Sequence, residues 1–276
     1  MNLVAAYKRP IKAILPFPVY FAMRKVYHDL IMPATYARSA RNDAEYLDAH
    51  GIDVAPPPNL RHRTHGSPDL PSFLKEGERH YRTIEASACP HGPGGQDAAR
   101  VLDFGCGCGR TALWFRKHRP ELAYTGVDLD RECIGWNERH LRFGHFLVGS
   151  PRPPLPFDAG SFDLIFSISV FTHLSEDLAA AWLAELARVA RPRAYVLLSI
   201  YAQREIEALP RVQRNQLDKT GLYHARSGVM HRIFPDFYQN TYHGWDYIVR
   251  RWGQFFEVVD RVNIGVQDLV VMRAIA

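Results

Sequence analysis

From residue 100 onward the chain alternates short apolar runs with helical patterns, and this alternation leaves few folds open. RVLDF (100–104) reads as a strand, RTALWFRKH (110–118) as a helix and LAYTGVDLD (122–130) as a strand. RECIGWNERHL (131–141) then reads as a helix and HFLVG (145–149) as a strand. After the loop SPRPPLPFDAGS come the apolar run FDLIFSISVF (162–171), the helix SEDLAAAWLAELARVA with Ser175 as its N-cap, and the strand AYVLLSI (194–200). Strands joined by helices run parallel through right-handed crossovers, so the expected fold is α/β, a doubly wound, mostly parallel sheet with helices on both faces. Beyond residue 201 the alternation stops. FFEVVDRV (255–262) and VQDLVVMRA (266–274) follow each other with no helix between them, which predicts a terminal antiparallel hairpin and brings the sheet to seven strands.

This core spans residues 98–276, with residues 202–252 as an insertion before the last two strands. Residues 1–97 read as an N-terminal helical and proline-rich arm. It has helices to about residue 50 broken by Pro10, Pro16, Pro18 and Pro33, an irregular stretch GIDVAPPPNLRHRTHGSPDLPSFL (51–74), a helix at 72–88 and a flexible link CPHGPGGQDAA. The arm is expected either to close over a ligand, offering Arg61, Arg63 and His65 to an acidic substrate, or to be a solvated linker.

Composition narrows the partners. With 47% apolar residues among 276, the chain can bury a substantial core. Its formal charge of +5 comes from scattered Lys and Arg that do not alternate with aromatics, so no nucleic-acid partner is expected. Cysteines at 89, 106, 108 and 133 make neither a disulfide framework nor a zinc spacing, which fits a reducing cytoplasm, and no metal site is expected. Charges and prolines interrupt the apolar segment AYKRPIKAILPFPVYFAMRKVYHDLIM, so it is read as neither a signal peptide nor a membrane span. With Arg24 and Lys25 it fits a helix packed on its own domain, or a peripheral membrane contact. Monomer and homodimer both remain open.

Three glycines, Gly105, Gly107 and Gly109, follow the first strand, where open parallel sheets bind ligands. Gly107, Gly109 and Ala112 satisfy the alanine variant of the dinucleotide fingerprint, which keeps an NAD(P)-dependent oxidoreductase as an alternative. Asp103 with the three glycines makes D-x-G-x-G-x-G instead. This pattern resembles the first motif of class I S-adenosylmethionine-dependent methyltransferases. The resemblance continues in PLPFDAGSFDLIFSISVFTHL, similar to the turn and fourth strand of that family, in ELARVARPRAYVLLSI, similar to its fifth-strand unit, and in the terminal hairpin.

The resemblance implies a Rossmann-like fold with S-adenosyl-L-methionine as cofactor. Amides around Gly105, Cys106 and Gly107 would hold its methionine part, with Asp103 near the ammonium; Asp128 would bind ribose and Leu129 would lie against adenine. Ser150 stands where many members have an adenine-binding Asp, and Ser167 with Ile168 would border the methyl donor. The acceptor is expected to be a hydroxyl or amine of a small molecule or glycan precursor, because the motifs of DNA amino-methyltransferases and cytosine C5 enzymes are missing after the fourth strand. The arm and insertion resemble, more weakly, flanks of bacterial methyltransferases from surface-polysaccharide or natural-product gene clusters. A general base would be His173, after the fourth strand, or His243, with Tyr238 or Tyr242 nearby in the insertion. A methyltransferase-like binding protein without turnover is the non-enzymatic alternative.

Overall fold

The computed structural model describes residues 31–88, 100–225 and 239–275. Parallel strands β1 (Arg100–Phe104), β2 (Ala123–Asp128), β3 (Gly144–Val148), β4 (Phe162–Ser167) and β5 (Ala190–Tyr201) carry the core. A two-stranded ribbon, β6 (Leu222–Ala225) with β7 (Asn240–His243), lies in the insertion, and β8 (Phe256–Asn263) and β9 (Gln267–Ala274) complete the main sheet. Its order is β3-β2-β1-β4-β5-β9-β8, with β9 antiparallel to both β5 and β8. The expected seven-stranded, doubly wound sheet with a terminal antiparallel hairpin is thus what the chain forms.

Strand alternation feeds two cores, one on each face. Val101, Phe166 and Leu197 face one way, against Phe115 and Ile84. Leu102, Ile165 and Leu198 face the other, against Trp182, Trp252 and Phe256. Helices α5 (Ala112–His118), α6 (Arg131–His140) and α7 (Glu176–Val189) connect the strands, and Ser175 caps α7 as expected, its Oγ accepting from the Leu178 N–H at 3.4 Å. The insertion also holds α8 (Gln203–Glu207), α9 (Arg211–Thr220) and α10 (Trp245–Arg251).

The arm departs from expectation. Helices α1 (Met32–Ser39) and α2 (Asp43–Ala49) agree with the helical reading of the first fifty residues, but the stretch read as irregular contains α3 (Pro58–His65) and the start of α4 (Leu70–Ala88). Its prolines and glycine bound a helix instead of precluding one. Pro58 occupies the first turn, where a missing N–H costs nothing, and Gly66 closes the helix at φ +77°, its N–H donating to His62 O at 2.9 Å. Arg61 is buried as an internal tie, donating to Pro56 O and Pro68 O at 2.8 Å each and pairing with Asp43 at 2.8 Å, so it is not offered to a substrate. The link at 89–99 and most of the N-terminal apolar segment lie outside the described residues. Among the described residues no helix is long and apolar enough to cross a membrane.

Candidate cofactor site

Strand order reverses between β1 and β4, since β1 continues to β2 on one side and pairs with β4 on the other. Backbone groups diverge there beyond the strands' carboxyl ends, and a cavity of about 490 Å³ opens at that point. Asp103, Asp128, Leu129, Ser150 and Ile168 all line it, together with Gly105, Cys106 and Gly107. Leu129 is 42% exposed, a flat apolar surface beside the Asp128 carboxylate.

The glycine loop meets its steric expectation. Gly105, Gly107 and Gly109 have φ of +86°, +52° and +80°, a region that side chains resist. The close approach, however, is made by the chain itself. A Cβ on Gly105 would sit 2.2 Å from Val170 Cγ2, and one on Gly107 would sit 2.7 Å from the Thr64 side chain of α3. Gly109 does not line the cavity; its neighbours are Leu141 and Asn137, so it is a packing glycine.

Loop amides are also spent internally, which corrects the expectation that they hold a ligand. The N–H groups of Gly105 and Cys106 donate to Val127 O at 2.7 and 3.1 Å, and that of Gly107 to Asp128 Oδ2 at 2.7 Å. Cys108 N–H reaches Thr64 Oγ1 at 3.2 Å. Asn137 Nδ2 donates to Gly107 O at 2.8 Å, a support that no local pattern announces.

The two carboxylates differ in environment. Asp128 accepts from Gly107 N–H and, through Oδ1, from Asp130 N–H at 2.8 Å, while burial raises its pKa against these bonds. Asp103 accepts from Tyr124 Oη at 2.6 Å; burial outweighs that bond and pushes its pKa up to about 7.

Ser167 does not border the cavity. It is fully buried and donates to Phe104 O at 2.7 Å, so the wall beyond β4 is made by Ile168, Ser169 and Val170. Ser169 holds φ +65°, fixed by Ser199 Oγ on its N–H and Gln267 Nε2 on its hydroxyl, both at 2.7 Å. Arg63 and Thr64 bring α3 to the rim, where Arg63 pairs with Asp130 at 3.1 Å and Glu132 at 2.7 Å.

Of the proposed bases, His173 lines the cavity and His243 does not. His173 Nδ1 meets Gln239 O at 3.0 Å, and burial lowers its pKa. His243, on β7, is buried against Tyr247 and Trp252; both ring nitrogens lack partners and burial brings its pKa down to about 3. Tyr242 stacks on Tyr201 at 4.4 Å, outside the cavity lining, and Tyr238 lies outside the described residues. Among the described residues no group of metal-ligating side chains is gathered.

Residues 101–193 match a family model described as a methyltransferase domain. Over 102 residues the chain is 33% identical to a fatty-acid O-methyltransferase of Mycolicibacterium smegmatis, 37% of this chain and 36% of that protein. Over another 102 it is 34% identical to a phthiotriol/phenolphthiotriol dimycocerosates methyltransferase of Mycobacterium ulcerans, 36% of each. It spans little over a third of the length of these curated relatives. Among solved structures, the 1,6-didemethyltoxoflavin-N1-methyltransferase of Burkholderia thailandensis, bound to 1,6-didemethyltoxoflavin and S-adenosylhomocysteine, superposes with a TM-score of 0.54 at 15% identity, over 88% of this chain and 91% of that one. A SAM-dependent methyltransferase of Methanosarcina mazei gives 0.51 at 20% identity, over 65% and 94%. At these identities the likeness is one of fold. Residues 101–193 thus carry a segment that matches the methyltransferase domain model, set in a sheet with the fold of these methyltransferase structures.

Proposed function

We propose that this chain is an S-adenosylmethionine-dependent methyltransferase that modifies a hydroxyl or amine of a small molecule or glycan precursor. The observation that carries this reading is the convergence of Asp103, the glycine loop and Asp128 on one cavity at the strand-order reversal. The residues fit the cofactor. Asp128 uses two of its lone-pair positions on Gly107 and Asp130, which leaves capacity for a pair of ribose hydroxyls. Exposed Leu129 beside it offers a face for adenine, and Ser150 stands at the same rim. When bound, the cofactor supplies an electrophilic methyl on a sulfonium.

The chain's own part is alignment, water exclusion and proton removal. Phe104, Leu174, Leu178 and Trp182 make part of the cavity wall apolar. Gln239 O can only accept, so His173 Nδ1 carries the hydrogen of that bond and Nε2 is the basic nitrogen. Burial lowers its pKa and so favours the neutral ring, the form a general base requires. Curated relatives named for fatty-acid and phthiotriol methylation favour an apolar acceptor. The oxidoreductase reading loses ground because β9 runs antiparallel beside β5, where the dinucleotide fold continues with parallel strands.

Calorimetric titration with S-adenosylmethionine, S-adenosylhomocysteine and NADH tests the reading. Binding of both adenosyl ligands but not NADH is expected, weakened at least about tenfold by Asp128→Ala, as loss of charge-assisted bonds requires. NADH binding without adenosyl binding would move the assignment to an oxidoreductase.

A further inference from the structure

Arg110 follows the third glycine and lines the cavity. Its Nη1 lies 3.1 Å from His65 Nδ1, its Nε is wholly shielded without a partner, and no carboxylate pairs with it among the described residues. A guanidinium does not give up its proton, so shielding it unpaired is costly unless a ligand brings an anion.

His65 does not supply that anion. Arg110 only donates, so His65 Nδ1 accepts, and its Nε2 carries the hydrogen toward Ser72 Oγ at 3.0 Å. The ring is neutral, consistent with a pKa that burial and the neighbouring Arg110 bring down to about 4. His65 therefore orients the guanidinium without pairing its charge, and the carboxylates of Glu76 and Asp103 act on it only through space. It belongs to α3, so the arm takes part in this wall.

Asp103, on the same cavity, is the mirror case. Tyr124 donates to it, and no cation pairs with it among the described residues. Asp103 and Arg110 share one cavity without forming an ion pair. Their arrangement complements a ligand end that carries both signs, as an α-amino-acid terminus does.

We propose that Arg110, oriented by His65 of the arm, is the subsite for the carboxylate of the cofactor's amino-acid end, opposite Asp103, which faces its ammonium. The inference rests on the S-adenosylmethionine reading above and adds Arg110 and His65 as specificity-determining groups.

The test compares S-adenosylhomocysteine with 5′-methylthioadenosine, which keeps the nucleoside and thioether and lacks the amino-acid terminus. In wild-type protein the former is expected to bind more tightly. Arg110→Met should weaken S-adenosylhomocysteine about 10- to 100-fold, the range for a charge-assisted bond, and move 5′-methylthioadenosine by less than about threefold. Arg110→Lys should recover part of the loss. Should the Met variant fail to fold, Arg110→Gln and His65→Leu carry the same ratio measurement. Equal weakening of both ligands, or an unchanged ratio, overturns the subsite and leaves the cofactor reading standing. Binding of neither ligand to wild-type protein overturns both.

Discussion

Replacing Gly105 by alanine tests the account of the glycine loop. The residue turns the chain out of β1 at φ +86°, and the added methyl would lie 2.2 Å from Val170 Cγ2. Left-handed backbone costs a non-glycine residue about 1 to 2 kcal/mol. Overpacking at this distance adds about 1 to 3 kcal/mol, because the Val170 methyl packs against the core and must be displaced. The variant should therefore lose about 2 to 5 kcal/mol, against roughly 5 to 15 for a whole domain. Gly135 is the control: it lies within α6 with nothing inside 4 Å of an added Cβ, so Gly135→Ala should gain up to about 1 kcal/mol from helix propensity. Urea unfolding followed by circular dichroism separates the two. With an m-value of about 3 kcal/mol per molar, Gly105→Ala should lower the midpoint by roughly 1 M. A Gly105→Ala stability within about 0.5 kcal/mol of wild type would refute the argument that φ and Val170 together demand glycine.

His243→Leu should raise thermal stability at neutral pH, by about 1 to 3 kcal/mol, since it removes two shielded, unpartnered ring nitrogens. Burial holds His243 at about 3, His65 at about 4 and His80 at about 2, all below the ordinary 6.5. These rings take up protons only on unfolding, so stability should fall as pH drops below 6.5; Asp103, raised to about 7, acts in the opposite sense, withdrawing stability as pH rises from 3.8. Melting curves between pH 4 and 7 should show a flatter acid limb in His243→Leu, and an unchanged slope would contradict the assigned neutrality. Arg63→Ala should cost less than about 1 kcal/mol and lose its effect in concentrated salt, because Arg63 is 42% and Glu132 69% exposed. A larger, salt-independent loss would mean that Arg63 does more than tie α3 to the rim.

Periodicity made the sheet legible, because the alternation of β1 to β5 with their helices is a local property written residue by residue. The glycines were legible for the same reason: a demand for positive φ belongs to the residue. What their amides do was not, since Val127 O and Asp128 arrive from β2 through parallel pairing. Ser167 and Ile168 show the limit at the end of β4, where the last strand residue is buried and the next one, just beyond the strand, reaches the cavity. On β7 side-chain alternation turns His243 inward while Asn240 faces solvent, an orientation set by the pairing with β6 that the local sequence does not carry. Helix α3 was hidden because Pro58 and Gly66 read as breakers when they mark its two ends. Arg110 carries no local signal at all; its lack of an ion-pair partner among the described residues exists only in three dimensions.

The position of β9 has a consequence for how the chain is made. Seven residue pairs bind it to β5 on one side, and β8 flanks it on the other. Until it inserts, β5 presents a row of unpaired backbone groups beside apolar Leu197 and Leu198, the kind of edge that recruits other chains. About 65 residues separate the end of β5 from the start of β9, which at ribosomal speed is roughly 3 to 13 s of exposure. During that interval a nascent chain has its cavity-lining loops translated and its sheet unfinished, so demand for chaperones should concentrate there.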